Sequence, residues 1–132
     1  MYAFEYRRAA SLDDAKRTLA GDPDARPLSG GMTLIPSMKH RLNQVTQLID
    51  IGRLPELRGI AVKADHLWIG AATPHQQVAD SAEVAKSVHG LARLASLIGD
   101  PQVRALGTLG GSVANNDPAA DYPAAEIGRA HV

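Results

Sequence analysis

Two stretches of the chain set consecutive glycines between hydroxyl side chains: Ser29-Gly30-Gly31-Met32-Thr33 and Thr108-Leu109-Gly110-Gly111-Ser112. Paired glycines let backbone N–H groups turn into a common concavity with no Cβ in the way, and a helix starting there adds partial positive charge. Phosphate oxygens fit such a place, and two such cradles suit a diphosphate. The same dipeptide also serves as a tight turn at a strand end, and spacing alone does not decide between the two uses. Neither stretch carries the third glycine of a Rossmann fingerprint or the Gly-Lys-Ser/Thr ending of a nucleoside triphosphate loop.

The remaining reactive side chains form no competing site. His40, His66, His75 and His89 show no paired spacing for a metal, and with no cysteine a structural zinc site is not expected. These histidines read as solvated or hydrogen-bonded surface residues, His75 as a first-turn helix residue with no assigned role. Lys39-His40-Arg41 is one short basic cluster without an aromatic platform, which reads as a solvated helix face rather than a nucleic-acid site. Asp117 and Asp121 resemble a pair of acid–base carboxylates, but an Asn-Asp-Pro turn accounts for the first. No Gly-x-Ser-x-Gly elbow is present, so Ser112 is not read as a nucleophile.

Composition narrows the class further. In 132 residues, 45% hydrophobic and 21% charged, the chain can bury one modest core. Its 14 Lys and Arg balance 14 Asp and Glu, so no net field gathers a polyanion. The absence of cysteine removes disulfides, thiolate nucleophiles and iron–sulfur ligation, so electrons passing through this chain need another carrier. Met1 to Arg8 has no signal-peptide core and Arg93 interrupts the apolar run Gly90 to Ile98, which makes the cytoplasm the expected compartment and a membrane span unexpected.

The elements that must position the glycines follow from capping and periodicity. Phe4 to Tyr6 reads as a strand, Ser11 as the N-cap of a helix carrying Ala15 to Ala20, and Ala25 to Leu28 as a second strand running into the first glycine loop. Leu34, Ile35, Met38 and Leu42 then recur at helical spacing. Gln47 to Ile51 is β-prone, and Ile60 to Val62 with Leu67 to Ile69 predicts a hairpin turning at Lys63 to His66; these strands are expected to cover the helices. Thr73-Pro74 reads as an N-cap and first helical position, with helices over Val78 to Val88 and Leu91 to Ile98 punctuated by Gly90 and leading to the second glycine loop. The fold class expected is α+β, a mixed α/β architecture.

Ordered motifs make the chain recognisable. Ser29-Gly30-Gly31-Met32-Thr33-Leu34-Ile35-Pro36 with Met38-Lys39 and Arg41-Leu42, then Leu48-Ile49-Asp50-Ile51, Pro55 to Ile60, Ile69-Gly70-Ala71 and Ile98 to Arg104, run in the order found in the flavin-binding medium subunits of molybdenum hydroxylases. Gly107 to Ala124 follows that family's second flavin loop almost throughout. Over residues 2 to 125 the chain resembles the medium subunit of carbon monoxide dehydrogenase and related xanthine dehydrogenase family subunits. The resemblance implies a two-lobed FAD-binding domain of the vanillyl-alcohol oxidase (PCMH) type, with residues 1 to about 55 in the first lobe and 56 to 125 beginning the second. It implies FAD contacts from Ser29, Gly30, Gly31, Met32 and Thr33 in one loop and Thr108, Gly110, Gly111 and Ser112 in the other. Asp121 would hydrogen-bond the ribose or adenosine side, and Ile98 would be a packing contact. Met32 departs from a position often polar in the family, and Ser112 stands where some members have Asn.

The function implied is an electron relay. FAD takes electrons from an iron–sulfur small subunit, fed by a molybdenum-binding large subunit, and hands them to an acceptor. A free-standing flavin oxidoreductase, such as the reductase of cell-wall precursor synthesis, and a nucleotide-binding regulatory module remain as alternatives. Members of the family continue for about as much sequence again, so the chain is expected to be an N-terminal fragment that folds poorly and holds FAD weakly or not at all by itself. Residues 126–132, Glu-Ile-Gly-Arg-Ala-His-Val, match one reading frame of a common sequencing adapter, and are expected to be a non-native tail in which His131 has no function.

Overall fold

The computed structural model describes residues 1–117 and 119–122; the expectations for Pro123, Ala124 and the tail lie outside the described residues. Three strands, β1 (Glu5–Arg8), β2 (Arg26–Leu28) and β3 (Gln47–Asp50), form a parallel sheet in the order β1-β3-β2. Parallel neighbours need crossovers, which helices α1 (Leu12–Gly21) and α2 (Leu34–Lys39) supply. The central strand pairs Glu5 with Gln47 on one side and Arg26 with Leu48 on the other. Its adjacent residues Leu48 and Ile49 are both buried, one in a cluster with Met38 and Val45, the other with Ala9, Ala15 and Leu54. Helices and loops cover both faces, so the strand is continuously apolar rather than alternating.

The expected strand over Gln47 to Ile51 is thus the centre of the first sheet and does not join the later hairpin. It packs against α1 and α2, whereas the hairpin, β4 (Ile60–Lys63) and β5 (His66–Ile69), covers the later helices, packing Ile60, Leu67 and Ile69 against a core of Val78, Val84, Ala92, Ala95 and Tyr122. Its turn narrows to Ala64-Asp65, with Ala64 in the left-handed region at φ 48°.

Local chemistry sets the helix ends. Ser11 caps α1, accepting from the Asp14 N–H at 3.1 Å as expected. Asp14 accepts in turn from the Ala10 N–H and pairs with Arg7; first the Ala10 bond and then the guanidinium hold its carboxyl below the usual range. At the other end of α1, Asp22 accepts from Thr46 Oγ1 at 2.5 Å and Gln47 Nε2 at 3.0 Å, tying the helix to the start of β3.

Helix α2 stops at Lys39, because Arg41 takes φ 56°; Leu42 is left 77% exposed instead of extending the apolar stripe. Arg41 also lies over the Tyr2 ring, 5.5 Å from its centroid, so the basic cluster does have an aromatic neighbour.

The run expected as one helix over Val78 to Val88 is two, α3 (His75–Asp80) and α4 (Ala82–Ser87). Ser81 ends the first and caps the second, its hydroxyl accepting from the Val84 N–H. Gly90 does not punctuate: it lies inside α5 (His89–Leu97), and the break falls at Val88. A further helix, α6 (Pro101–Leu106), capped by Asp100, precedes α7 (Leu109–Asn115).

Thr73 is not the N-cap of α3; Pro74 is. The Thr73 side chain is fully buried and bridges to Gly59 instead, accepting from its N–H at 3.1 Å and donating to its carbonyl at 3.2 Å. Thr73→Val should therefore destabilise the chain by about 1–3 kcal/mol, since it leaves the Gly59 N–H unmatched at nearly constant volume. Thr73→Ser should recover most of that loss in urea unfolding; equal midpoints for Thr73→Val and the parent chain would refute the bridge.

Candidate functional site

The segment between β5 and α3 brings the two glycine stretches together. Gly110 donates to the Ala71 carbonyl at 2.9 Å, Leu109 to that of Thr73 at 3.1 Å, and His75 to that of Gly107 at 2.9 Å. Thr108 and Pro74 form an antiparallel bridge. On the other side the first loop reaches the junction of α6 and α7: a Cβ on Gly30 would sit 2.1 Å from the Leu106 carbonyl oxygen. Thr108 Oγ1 then donates to Ser29 Oγ at 3.2 Å, linking residues 79 apart in sequence.

Between these stretches lies a cleft of about 670 Å³, and all eleven residues singled out by the resemblance line it. They come from the loop after β2, the end of α5, the start of α7 and the segment after it. That volume falls within the range of small-molecule and cofactor sites, about 300–1,000 Å³.

The two glycine stretches are not equivalent. In the first, the N–H groups of Gly30, Gly31, Met32 and Thr33 have no acceptor among the described residues, and Thr33 makes no side-chain cap for α2. Gly31 adopts φ 72°, a left-handed value that turns successive N–H groups to one side. In the second, Gly110 and Gly111 are not a loop ahead of a helix but the first turn of α7. Their donors are occupied: Gly110 by Ala71, Gly111 by Thr108 Oγ1 at 3.2 Å, and Ser112 by the Thr108 carbonyl at 3.0 Å. The expected second concavity of free backbone donors is therefore absent, because the missing Cβ of Gly110 is used to seat α7 against Ala71, 2.6–2.8 Å from where that atom would lie. Thr108 and Ser112 line the cleft beside these glycines, the Thr108 hydroxyl accepting from the Gly111 N–H and donating to Ser29 Oγ. Both following helices are also short, six and seven residues, so the charge expected from their dipoles is small.

Charged side chains around the cleft are few. Arg26 is the only Lys or Arg among the described lining residues, and its Nη1 donates to the carbonyls of Pro23 and Ala25. Asp117 accepts from the Ala119 N–H at 2.9 Å, as an aspartate turn does, while Asp121 is exposed. Ile98 ends α5, packs against the second core and is held by Arg104, whose Nη1 donates to the Ile98 and Gly99 carbonyls and whose Nε donates to Gln76.

His75 is the lining residue that the sequence reading missed. It is not a surface histidine but 5% exposed, its ring 5.1 Å from that of Tyr122. Burial lowers its pKa from the ordinary 6.5, partly opposed by Asp121. The Thr73-Pro74-His75 order holds no sign of this, because the burial comes from Gly107 and Tyr122, distant in sequence. Among the described residues no cluster of three or more His, Cys, Asp or Glu could hold a metal, and no helix is long and apolar enough to cross a membrane.

A cleft lined by backbone N–H groups without acceptors among the described residues, and by hydroxyl side chains, has the chemistry to receive a phosphate group. Comparison with known proteins makes the class specific. Residues 2–128 match the family described as the FAD binding domain in molybdopterin dehydrogenase, and the chain belongs to that family. It is 43% identical over 125 residues to the carbon monoxide dehydrogenase medium chain of Hydrogenophaga pseudoflava, covering 94% of this chain and 44% of that one. It is 39% identical over 120 residues to the glyceraldehyde dehydrogenase medium chain of Sulfolobus acidocaldarius, covering 91% and 43%. The solved carbon monoxide dehydrogenase from Hydrogenophaga pseudoflava superposes with a TM-score of 0.93 over 96% of this chain and 44% of that one, at 43% identity. Quinoline 2-oxidoreductase from Pseudomonas putida 86 gives 0.89 over 92% and 43%, at 38% identity. The chain thus spans less than half the length of the relatives it matches, and its mixed helix and sheet architecture is that of their FAD-binding domains.

Two outcomes test this geometry. Gly30→Ala should cost about 3 kcal/mol, at the upper end for overpacking, because the obstacle is backbone. Gly21→Ala, with open space around it, should be neutral or slightly stabilising, and equal unfolding midpoints for the two variants would contradict the contact. Because the folded state lowers the His75 pKa, its stability is fully present above the ordinary 6.5 and declines as pH falls below it. His75→Phe should flatten the fall in melting temperature between about pH 7.5 and about pH 5.

Proposed function

We propose that the cleft binds FAD noncovalently, with the diphosphate on the first glycine loop, and that the chain is the flavin part of an electron-transfer subunit of a molybdenum-containing hydroxylase. The observation that carries the reading is the run of four N–H groups from Gly30 to Thr33 with no acceptor among the described residues, in a cleft that Thr108 and Ser112 also line. These residues are half-buried or exposed, so water can meet their N–H groups, and phosphate oxygens can replace it at several of them at once. With Arg26 as the one cation among the described lining residues, recognition rests on oriented dipoles more than on net charge.

The residues divide the work. Ser29, Gly30, Gly31, Met32 and Thr33 take the phosphates, Ser112 offers a hydroxyl from across the junction, Thr108 orients the Ser29 hydroxyl by donating to it, and Asp121 accepts from a sugar hydroxyl. Gly110 and Gly111 keep α7 seated so that those hydroxyls stay in place. Ile98 supplies an apolar wall, its position fixed by Arg104. Bound flavin accepts and releases electrons singly or in pairs, and no side chain of the cleft needs to act as acid or base for that. The first lobe, to about residue 55, and the second would then enclose the dinucleotide between them.

The relatives are medium chains of dehydrogenases, which supports a place beside a large and a small partner; on this proposal molybdenum sits on the large one, iron–sulfur clusters on the small one, and the complex in the cytoplasm. Electrons would enter from the iron–sulfur partner and leave to an acceptor. Such a chain needs no metal ligand of its own.

FAD binding should show by flavin fluorescence, with ADP competing and riboflavin not, because the diphosphate carries the recognition. Denaturation should release all the yellow colour. Affinity for this chain should be modest, since phosphate contacts must offset the cost of fixing a flexible dinucleotide. Competition by riboflavin as strong as that by ADP would overturn the assignment of the loop.

A further inference from the structure

His75 occupies a position that the binding scheme does not yet use. It opens α3, and its ring is enclosed between Tyr122 and Gly107, with 5% of the residue exposed. The absent side chain at Gly107 makes room for it: a Cβ there would lie 2.9 Å from both Cδ2 and Nε2. Gly107 in turn touches the first loop, since a Cβ on Gly30 would lie 2.8 Å from the Gly107 Cα. Gly107 thus lies between the imidazole and Gly30, and His75 lines the same cleft as Gly30 to Thr33.

The two ring nitrogens differ. Nδ1 is sealed from solvent and has no hydrogen-bond partner among the described residues. Nε2 lies on the Gly107 side of the ring and is not among the sealed, unpartnered atoms, so in a residue that lines the cleft it is the nitrogen a ligand can reach. A neutral imidazole has one donor and one acceptor nitrogen, and burial keeps this one neutral. A buried N–H with nothing to bond is rarer than a buried acceptor left empty. The proton accordingly belongs on Nε2, where an acceptor can meet it.

We propose that His75 is a ligand-contacting residue of the cleft, presenting a fixed Nε2–H donor to a phosphate oxygen of the bound dinucleotide. This rests on the FAD reading above and adds a side-chain donor to the backbone ones. A neutral donor suits the place, because it adds a hydrogen bond next to the Gly107 peptide without burying a cation. Tyr122 and the Gly107 peptide hold the ring plane, so little side-chain entropy remains to be lost on binding.

Nitrogen-15 labelling of histidine and long-range proton–nitrogen correlation spectra on the chain read the tautomer directly. His75 should show a bare Nδ1 and a protonated Nε2, and saturating ADP should shift Nε2 while riboflavin does not. His75→Phe, which keeps ring and packing, should weaken ADP and FAD by about tenfold, the worth of one hydrogen bond to a charged acceptor. A protonated Nδ1, or an Nε2 resonance unmoved by saturating ADP, overturns the proposal while leaving the FAD reading standing. Failure of the wild-type chain to bind either FAD or ADP overturns both.

Discussion

The close approach of Gly30 to the junction of α6 and α7 holds the functional arrangement together. A side chain of any size at position 30 would push against the Leu106 carbonyl and the Gly107 Cα, so the first sheet's loop can touch the second half of the chain only through a bare backbone. From that contact follow the Thr108–Ser29 hydrogen bond, the place of Gly107 beside His75, and the cleft itself. The cleft is a consequence of two backbones meeting, rather than a depression in one element. Substitutions far from any ligand can therefore change its shape if they part those backbones.

The segment from Gly70 to His75 does the complementary work on the other wall. It exchanges backbone hydrogen bonds with Leu57 and Gly59 on one side and with Gly107, Leu109 and Gly110 on the other. Thr73 adds its hydroxyl to that set, which is why a residue that reads as a helix cap is buried and not capping. Because these bonds are irregular, they belong to no sheet or helix. They nevertheless fix the start of α7 relative to the hairpin as firmly as a ladder would, since buried backbone groups must find partners somewhere.

Much of this was legible in the residues and some was not, and the difference has physical causes. Ser11 was readable as a cap because capping is local, and the hairpin because its pattern and its turn are contiguous. The family could be recognised because several motifs occur in order, where either glycine pair alone was ambiguous. Ser81 and Val88 broke helices that looked continuous, because apolar periodicity runs on through a change of axis. The parallel pairing of β3 with β1 and β2 left no local trace, since register between distant strands is decided by the crossovers. Burial of His75 was hidden for the same reason: Gly107 and Tyr122, which enclose it, are 32 and 47 positions away.

The two Gly-Gly pairs show most plainly how one sequence signal divides into two physical roles. Both have flanking hydroxyls, and composition offers no way to tell them apart. In the first, a left-handed Gly31 turns the chain before α2 begins, and four donors are left over. In the second, the helix begins a residue earlier than the glycines, so their N–H groups fall in its first turn and are met by Ala71 and the Thr108 hydroxyl. The first pair is free to bind because it is not inside a helix; the second is free to pack because it is. A change at Gly110 acts first on the seating of α7 against Ala71, and only through that on the hydroxyls of Thr108 and Ser112. The same change at Gly31 acts on the donors themselves. Paired glycines thus signal a phosphate site only where the following N–H groups remain without partners, and that condition is set by where the next helix starts.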